Sequence, residues 1–268
     1  MRAHPRIWLG GCSLLLLSSL AITQLSPLLL PQVHETYEQS ERAVQDGQYQ
    51  MALALMKGTL YSDGVTIGIE GDHAERTAIV REAAQGWNQA LEGDSPIRLV
   101  SMRENPQVIV KWVPQVPAEG SHTLGLIKMR KEFRWNTTRH EVGIKGTIYV
   151  ATQPPGSPLS RSEQVDVVMH ELGHLLGLDD CGDLGPLMGP LERGKPVGER
   201  GKPVGAPTPA EVAAVTGLRR MVRDKLSLVN LQLSRQTTTA GRRQLPQEHR
   251  QTSPHDHGKI AVVESQAK

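Results

Sequence analysis

His170-Glu171-Leu172-Gly173-His174-Leu175-Leu176-Gly177-Leu178-Asp179-Asp180, with Leu187-Met188 soon after it, is the stretch on which the reading of this chain turns. It holds an H-E-x-x-H motif: two imidazoles four residues apart, with a carboxylate directly after the first. Four residues on a helix is one turn plus about 40°, so both rings can reach one metal ion from one face. Glu171 is then placed to act on a water at that ion. The spacing is that of a zinc-dependent hydrolase.

A catalytic zinc takes three protein ligands and leaves a fourth position for water. The helix carrying both histidines must therefore end soon after His174. Gly177 allows the positive-φ turn that brings a later side chain back. Asp180, three residues on, supplies a carboxylate oxygen, while Asp179 reads as a carboxylate of the turn or one supporting the ligands from behind. Met188 lies in Pro186-Leu187-Met188-Gly189-Pro190, a tight turn.

With these residues in place, the sequence resembles the metzincin metallopeptidases, and within them the matrixin-like group. Those proteins carry H-E-x-x-H-x-x-G-x-x-H and a methionine turn under the zinc. His170, Glu171, His174, Gly177 and Met188 match, and Met188-Gly189-Pro190 resembles the methionine-x-proline of matrixins. Asp180 departs from the pattern, since matrixins have a third histidine there; small secreted metzincins of the snapalysin type carry aspartate. The resemblance covers roughly Tyr61 to Leu231.

The resemblance implies an α/β fold: a metzincin-like zincin domain with a twisted, mainly parallel mixed sheet, an active-site helix and a C-terminal helix. It implies Zn2+ held by His170, His174 and Asp180, Glu171 as general base, and Met188 as a structural floor. The expected reaction is hydrolysis of a peptide bond in a protein or peptide substrate. The strand Gly146-Thr147-Ile148-Tyr149 is expected to be the exposed edge that holds substrate main chain by β-addition. An aspartate ligand leaves the site at formal charge +1 instead of +2, so water there is expected to be harder to ionise.

The 268 residues suffice for one ordinary domain plus extensions. With only 3% aromatic residues and a single Phe, the core must be built from Val, Ile, Leu and Ala. A net charge of +2 and the lack of a basic stripe with interleaved aromatics argue against nucleic acid. The two cysteines, Cys12 and Cys181, predict no intramolecular disulfide in a processed form.

Residues 1–30 read as a signal peptide or membrane anchor: Arg2 and Arg6 precede an apolar run from Ile7 to Ile22. Either alternative places the remainder outside the cytoplasm, secreted or membrane-anchored. Residues 31–60 read as a helical pro-segment or a hairpin packed on the catalytic domain at 61–231. Strands are expected at Gly64–Ile69, Ile97–Met102, Val108–Val113 and Gly146–Ala151. Between the first two, Asp72-x-x-Glu75 opens a helix whose Val80, Ala84, Trp87 and Leu91 face the core.

Pro114 to Glu141 reads as long, basic and irregular, with His122 and His140 as surface residues. Ser160-x-x-Glu163 is a capping box for the active-site helix, and Thr208-Pro209-Ala210-Glu211 opens an amphipathic C-terminal helix. Glu192 to Gly198 repeats identically as Glu199 to Gly205, flexible linker material expected to act as a mobile lid on specificity. Residues 232–268 read as a disordered tail.

Two rivals stand beside this reading. One keeps H-E-x-x-H but takes a distant glutamate, Glu192, Glu199 or Glu211, as third ligand. The other is a non-catalytic, zinc-bearing extracytoplasmic binding module.

Overall fold

The structure is a computed structural model describing residues 25–60, 64–71, 73–94, 97–117, 123–136, 138–153, 158–182, 187–189, 206–243 and 259–267. The apolar run at Ile7–Ile22, the Glu192–Gly205 repeat, His122 and the tail histidines lie outside these residues. No helix among the described residues is long and apolar enough to cross a membrane.

The fold is α/β, built on one mixed sheet. Two helices come first, α1 (Pro31–Gln45) and α2 (Tyr49–Leu60), followed by β1 (Val65–Ile69), α3 (Ala74–Ala90), β2 (Ile97–Leu99) and β3 (Val108–Val113). An antiparallel pair follows, β4 (Gly125–Trp135) and β5 (His140–Ala151), then α4 (Arg161–Leu175), α5 (Pro209–Arg243) and β6 (Lys259–Ala267). The strand order is β2-β1-β3-β5-β4-β6. β2, β1, β3 and β5 run parallel, whereas β4 is antiparallel to both β5 and β6.

The expected stripe on α3 is buried, with Val80, Ala84, Trp87 and Leu91 all at 2% exposure or less. Trp87 does more than fill space: its indole N–H donates to the Met169 carbonyl at 2.9 Å, tying α3 to α4. Asp72 is not described; His73 occupies the N-cap position with no side-chain cap bond.

Residues 31–60 form a hairpin packed on the sheet. α1 ends on Gly47, whose φ of +70° permits a Schellman turn: Gln48 N–H reaches the Ala43 carbonyl and Gly47 N–H that of Val44. Val33, Ala43, Ala52, Leu53 and Met56 then join the same apolar core as α4. At Gly58 a Cβ would stand 2.2 Å from the Phe133 ring, so the missing side chain lets α2 lie directly on β4.

Three expectations are corrected. The irregular stretch at Pro114–Glu141 contains all of β4 and the start of β5. Ile127, Met129 and Phe133 bury one face of β4 while Arg130 and Arg134 stay exposed. Glu132 bridges both arginines, at 3.1 and 2.8 Å, so charge on the outer face hides the alternation. Second, Gly146, Thr147, Ile148 and Tyr149 are not an edge. They pair with β3 on one side and β4 on the other, because the β4–β5 hairpin adds a strand outside them. Third, 232–268 is not wholly a disordered tail, for α5 runs on to Arg243 and 259–267 forms β6.

Candidate metal centre

α4 is started where the sequence places its cap. Ser160 Oγ accepts the Glu163 N–H, and the Glu163 carboxylate accepts the Ser160 N–H at 2.7 Å. It stops by a Schellman turn at Gly177, φ +99°. Leu178 N–H donates to the Gly173 carbonyl and Gly177 N–H to that of His174, each at 3.0 Å. A side chain at 177 would be strained and would press on Val33. The reversal sends Asp180 back over the last turn of the helix.

There His170, His174 and Asp180 converge, their ligand atoms within 4.8 Å of one another. Asp180 Oδ1 stands 3.1 Å from His170 Nε2 and 3.4 Å from His174 Nε2. The rings are nearly perpendicular, 4.8 Å between centroids. His170 and His174 are buried, while the Asp180 side chain is half exposed and forms the mouth. Asp179 accepts the Asp180 backbone N–H at 2.9 Å, the turn role expected of it.

Proton accounting tests whether a cation fits. His170 Nδ1 lies 2.9 Å from the Leu187 carbonyl, and His174 Nδ1 2.9 Å from the Leu178 carbonyl. A carbonyl oxygen only accepts, so each Nδ1 bears the proton and each neutral ring turns a bare lone pair toward Asp180. Two lone pairs and a carboxylate oxygen facing one another repel unless a proton or a cation sits among them. His174 Nε2, buried, has no hydrogen-bond partner among the described residues. These three donors fit a divalent metal, with the Nδ1 bonds fixing the tautomer as ligand histidines require.

Charge shifts in the metal-free chain express the same strain. At His170, burial disfavours the charged ring, but the contacts with Asp180, Glu171 and the Leu187 carbonyl outweigh it and raise its pKa. Burial likewise works against ionised Asp180, yet the two imidazoles hold it far below the ordinary carboxylate range. Glu171 is almost completely buried, and burial pushes its pKa up to about 7, against the pull of both rings and of the Ile127 N–H. Among the described residues Glu171 Oε2 has no hydrogen-bond partner, leaving one oxygen to exchange a proton.

Several residues that sequence reasoning missed shape this site. Gly125, at the start of β4, lies against Glu171: a Cβ there would meet Oε1 at 2.3 Å. Gly173, inside the motif, makes room for Met188, whose sulfur is 2.3 Å from where a Cβ would be. Met188 is buried beneath the ligand helix, and its carbonyl accepts the Cys181 N–H at 2.8 Å. Glu211, read as a helix cap and as one candidate for the distant-glutamate ligand, accepts both Met188 N–H at 2.7 Å and Thr208 N–H at 2.6 Å. With both oxygens engaged, it is not a ligand in the manner of the distant-glutamate rival. Leu28–Leu30 also brace the third-ligand loop: Leu30 N–H donates to Gly177, and Asp179 N–H to Leu28.

His140 belongs elsewhere. Its Nδ1 sits 2.7 Å from Gln50 Oε1 on α2, and burial together with Lys57 lowers its pKa. Compared with known proteins, the chain matches no family model and no curated relative.

Proposed function

We propose that this chain is a zinc-dependent endopeptidase with a metzincin-like catalytic domain, secreted or membrane-anchored outside the cytoplasm. The observation that carries the proposal is the convergence of His170 Nε2, His174 Nε2 and Asp180 Oδ1 beside a buried glutamate with one free oxygen. Two imidazoles and a carboxylate would also suit ferrous iron. A buried carboxylate next to the first ligand, with a pKa near the operating pH, favours hydrolysis instead.

The residues divide the work. His170, His174 and Asp180 would hold the ion, and the Leu187 and Leu178 carbonyls keep both rings in the ligating tautomer. Bound there, zinc supplies a Lewis acid that polarises the scissile carbonyl and acidifies water. Glu171 takes the proton of the attacking water at its free oxygen and passes it to the leaving amine. Gly125, by lacking a side chain, keeps the approach to Glu171 open. Met188 supports the floor without touching the chemistry.

The test is casein cleavage by the full chain against Glu171→Ala, each with and without chelator, alongside metal analysis. Cleavage lost in Glu171→Ala with metal retained supports the peptidase. Metal bound and no cleavage by the wild-type chain supports the binding-module rival.

A further inference from the structure

β4 touches the site directly. Gly125 abuts Glu171, and the Ile127 N–H donates to its carboxylate. One edge of β4 is taken by β5. The other would present a row of unpaired backbone N–H and C=O groups, which is what an extended polypeptide adds to. In this chain that edge is filled by β6, antiparallel, in register from Trp135↔Lys259 to Ile127↔Ala267. The segment therefore runs toward the metal cluster, and its Ala267 end lies opposite the residue that contacts Glu171.

Two further features set β6 apart from the body of the sheet. Among the described residues, its only substantial packing against another element is with β4. In sequence, Ile260-Ala261-Val262-Val263 is a short apolar run, β-branched except at Ala261, that follows the polar stretch 244–258. Main-chain hydrogen bonds are indifferent to side-chain identity, so the occupant of such an edge is exchangeable for any chain that can extend beside it.

We propose that residues 259–267 are a substrate-like occupant of the β4 edge, an intrasteric inhibitor that must leave before a polypeptide can lie beside Glu171. The inference rests on the peptidase reading, and it makes the arrangement described the closed form of the site. A peptide then competes with a tethered strand, and apparent KM is raised by the inverse of the open fraction.

The test uses the full chain. In Val262→Pro/Val263→Pro one of the two lost N–H groups faces β4 whichever the phase, because adjacent N–H groups point to opposite edges. If the strand is docked in about nine molecules of ten, KM for casein falls about tenfold with kcat unchanged. A free peptide of sequence 259–267 then restores the higher KM competitively. As a variant that keeps the pairing, Glu132→Cys/Val262→Cys joins directly opposed residues, whose separation of about 5 Å suits a disulfide. Oxidation should abolish cleavage and reduction restore it, with Glu132→Cys alone insensitive to either.

A binding arm separates the two proposals. Fluorescein-labelled 259–267 should bind the proline variant, be displaced by casein, and fail to bind the oxidised cysteine pair. If it does so while no form cleaves casein, the peptidase reading falls and the docking edge stands. Equal cleavage by oxidised and reduced forms, or a label that binds the proline variant no better than wild type, overturns the inhibitor.

Discussion

Glu211 accepts the Met188 backbone N–H at 2.7 Å, and the neighbouring Leu187 carbonyl lies 2.9 Å from His170 Nδ1. A carboxylate at the start of α5 thus holds the turn that orients the first ligand, some forty residues earlier in the chain. Its other oxygen closes the helix cap through Thr208. Truncating Glu211 to Ala would leave two N–H groups without their acceptor. The expected cost is about 2–4 kcal/mol, the buried Met188 N–H contributing about 1–3 kcal/mol and the part-buried Thr208 N–H about 1 kcal/mol. Weaker metal affinity should accompany it, and Glu211→Gln should recover only part of the stability, because its amide keeps one acceptor oxygen for the two N–H donors. Denaturant unfolding and metal titration of the three proteins read both effects; unchanged metal affinity in Glu211→Ala would refute the orienting role.

Gly173→Ala inserts a methyl 2.3 Å from the Met188 sulfur. Overpacking of this kind costs about 1–3 kcal/mol, softened here because the obstructing atom is near the end of a flexible side chain. Combining it with Met188→Ala should give less than additive destabilisation, since the second change opens the volume that the first needs. Strict additivity in the cycle would mean the two do not meet.

Gly125→Ala acts on the same principle at a different place. Its methyl would displace Glu171 Oε1 or push β4 outward. Cleavage should drop about 100-fold or more, in line with the contribution of a well-placed general base. Metal content should stay at wild-type level. A variant that loses its metal instead would show that Gly125 serves the ligand helix and not the glutamate.

The pH dependence of the metal-free chain has a definite sign. Glu171 has its folded-state pKa raised from 4.5 to about 7 by burial, so the folded form holds its proton over a window in which the unfolded form has lost it. Its contribution falls as pH rises from about 4.5 to 7, by about 3 kcal/mol at 1.36 kcal/mol per unit. Glu171→Gln should flatten that descent and be the more stable protein at pH 8. Asp180 works the other way. Its folded pKa is depressed, so its contribution is present above its unfolded value and is lost as pH falls below that. Urea melts of chelated wild type, Glu171→Gln and Asp180→Asn between pH 3 and 8 check both slopes.

Asp180→Ala should weaken metal binding by more than the ~10–100-fold typical of losing a supporting hydrogen bond to a ligand. Asp180→His keeps three donors and restores one unit of positive charge to the site. Its acidic limb in the pH–rate profile should therefore move to lower pH. An unmoved limb would show that the third ligand does not tune the ionisation.

Much of the centre was legible because its geometry is local. Two histidines four apart on a capped helix share a face whatever surrounds them, and a glycine three residues past the second allows the reversal that returns Asp180. Both caps, Ser160 with Glu163 and Gly177 with its positive φ, depend on neighbours within six residues. The same locality made α3 and its stripe readable, and the short parallel strands with their β-branched runs.

What tertiary structure decided are relations between distant segments, where sequence offers no period to count. Whether Gly146–Tyr149 is an edge depends on a strand added beyond it, and β4 hid among charges because only its inner face needs apolar side chains. Gly125, Gly173 and Glu211 matter through a glutamate, a methionine and a backbone N–H that come near them only on folding. β6 settles as a strand by pairing with β4, since an isolated stretch of backbone gains little from extension until a partner supplies its hydrogen bonds.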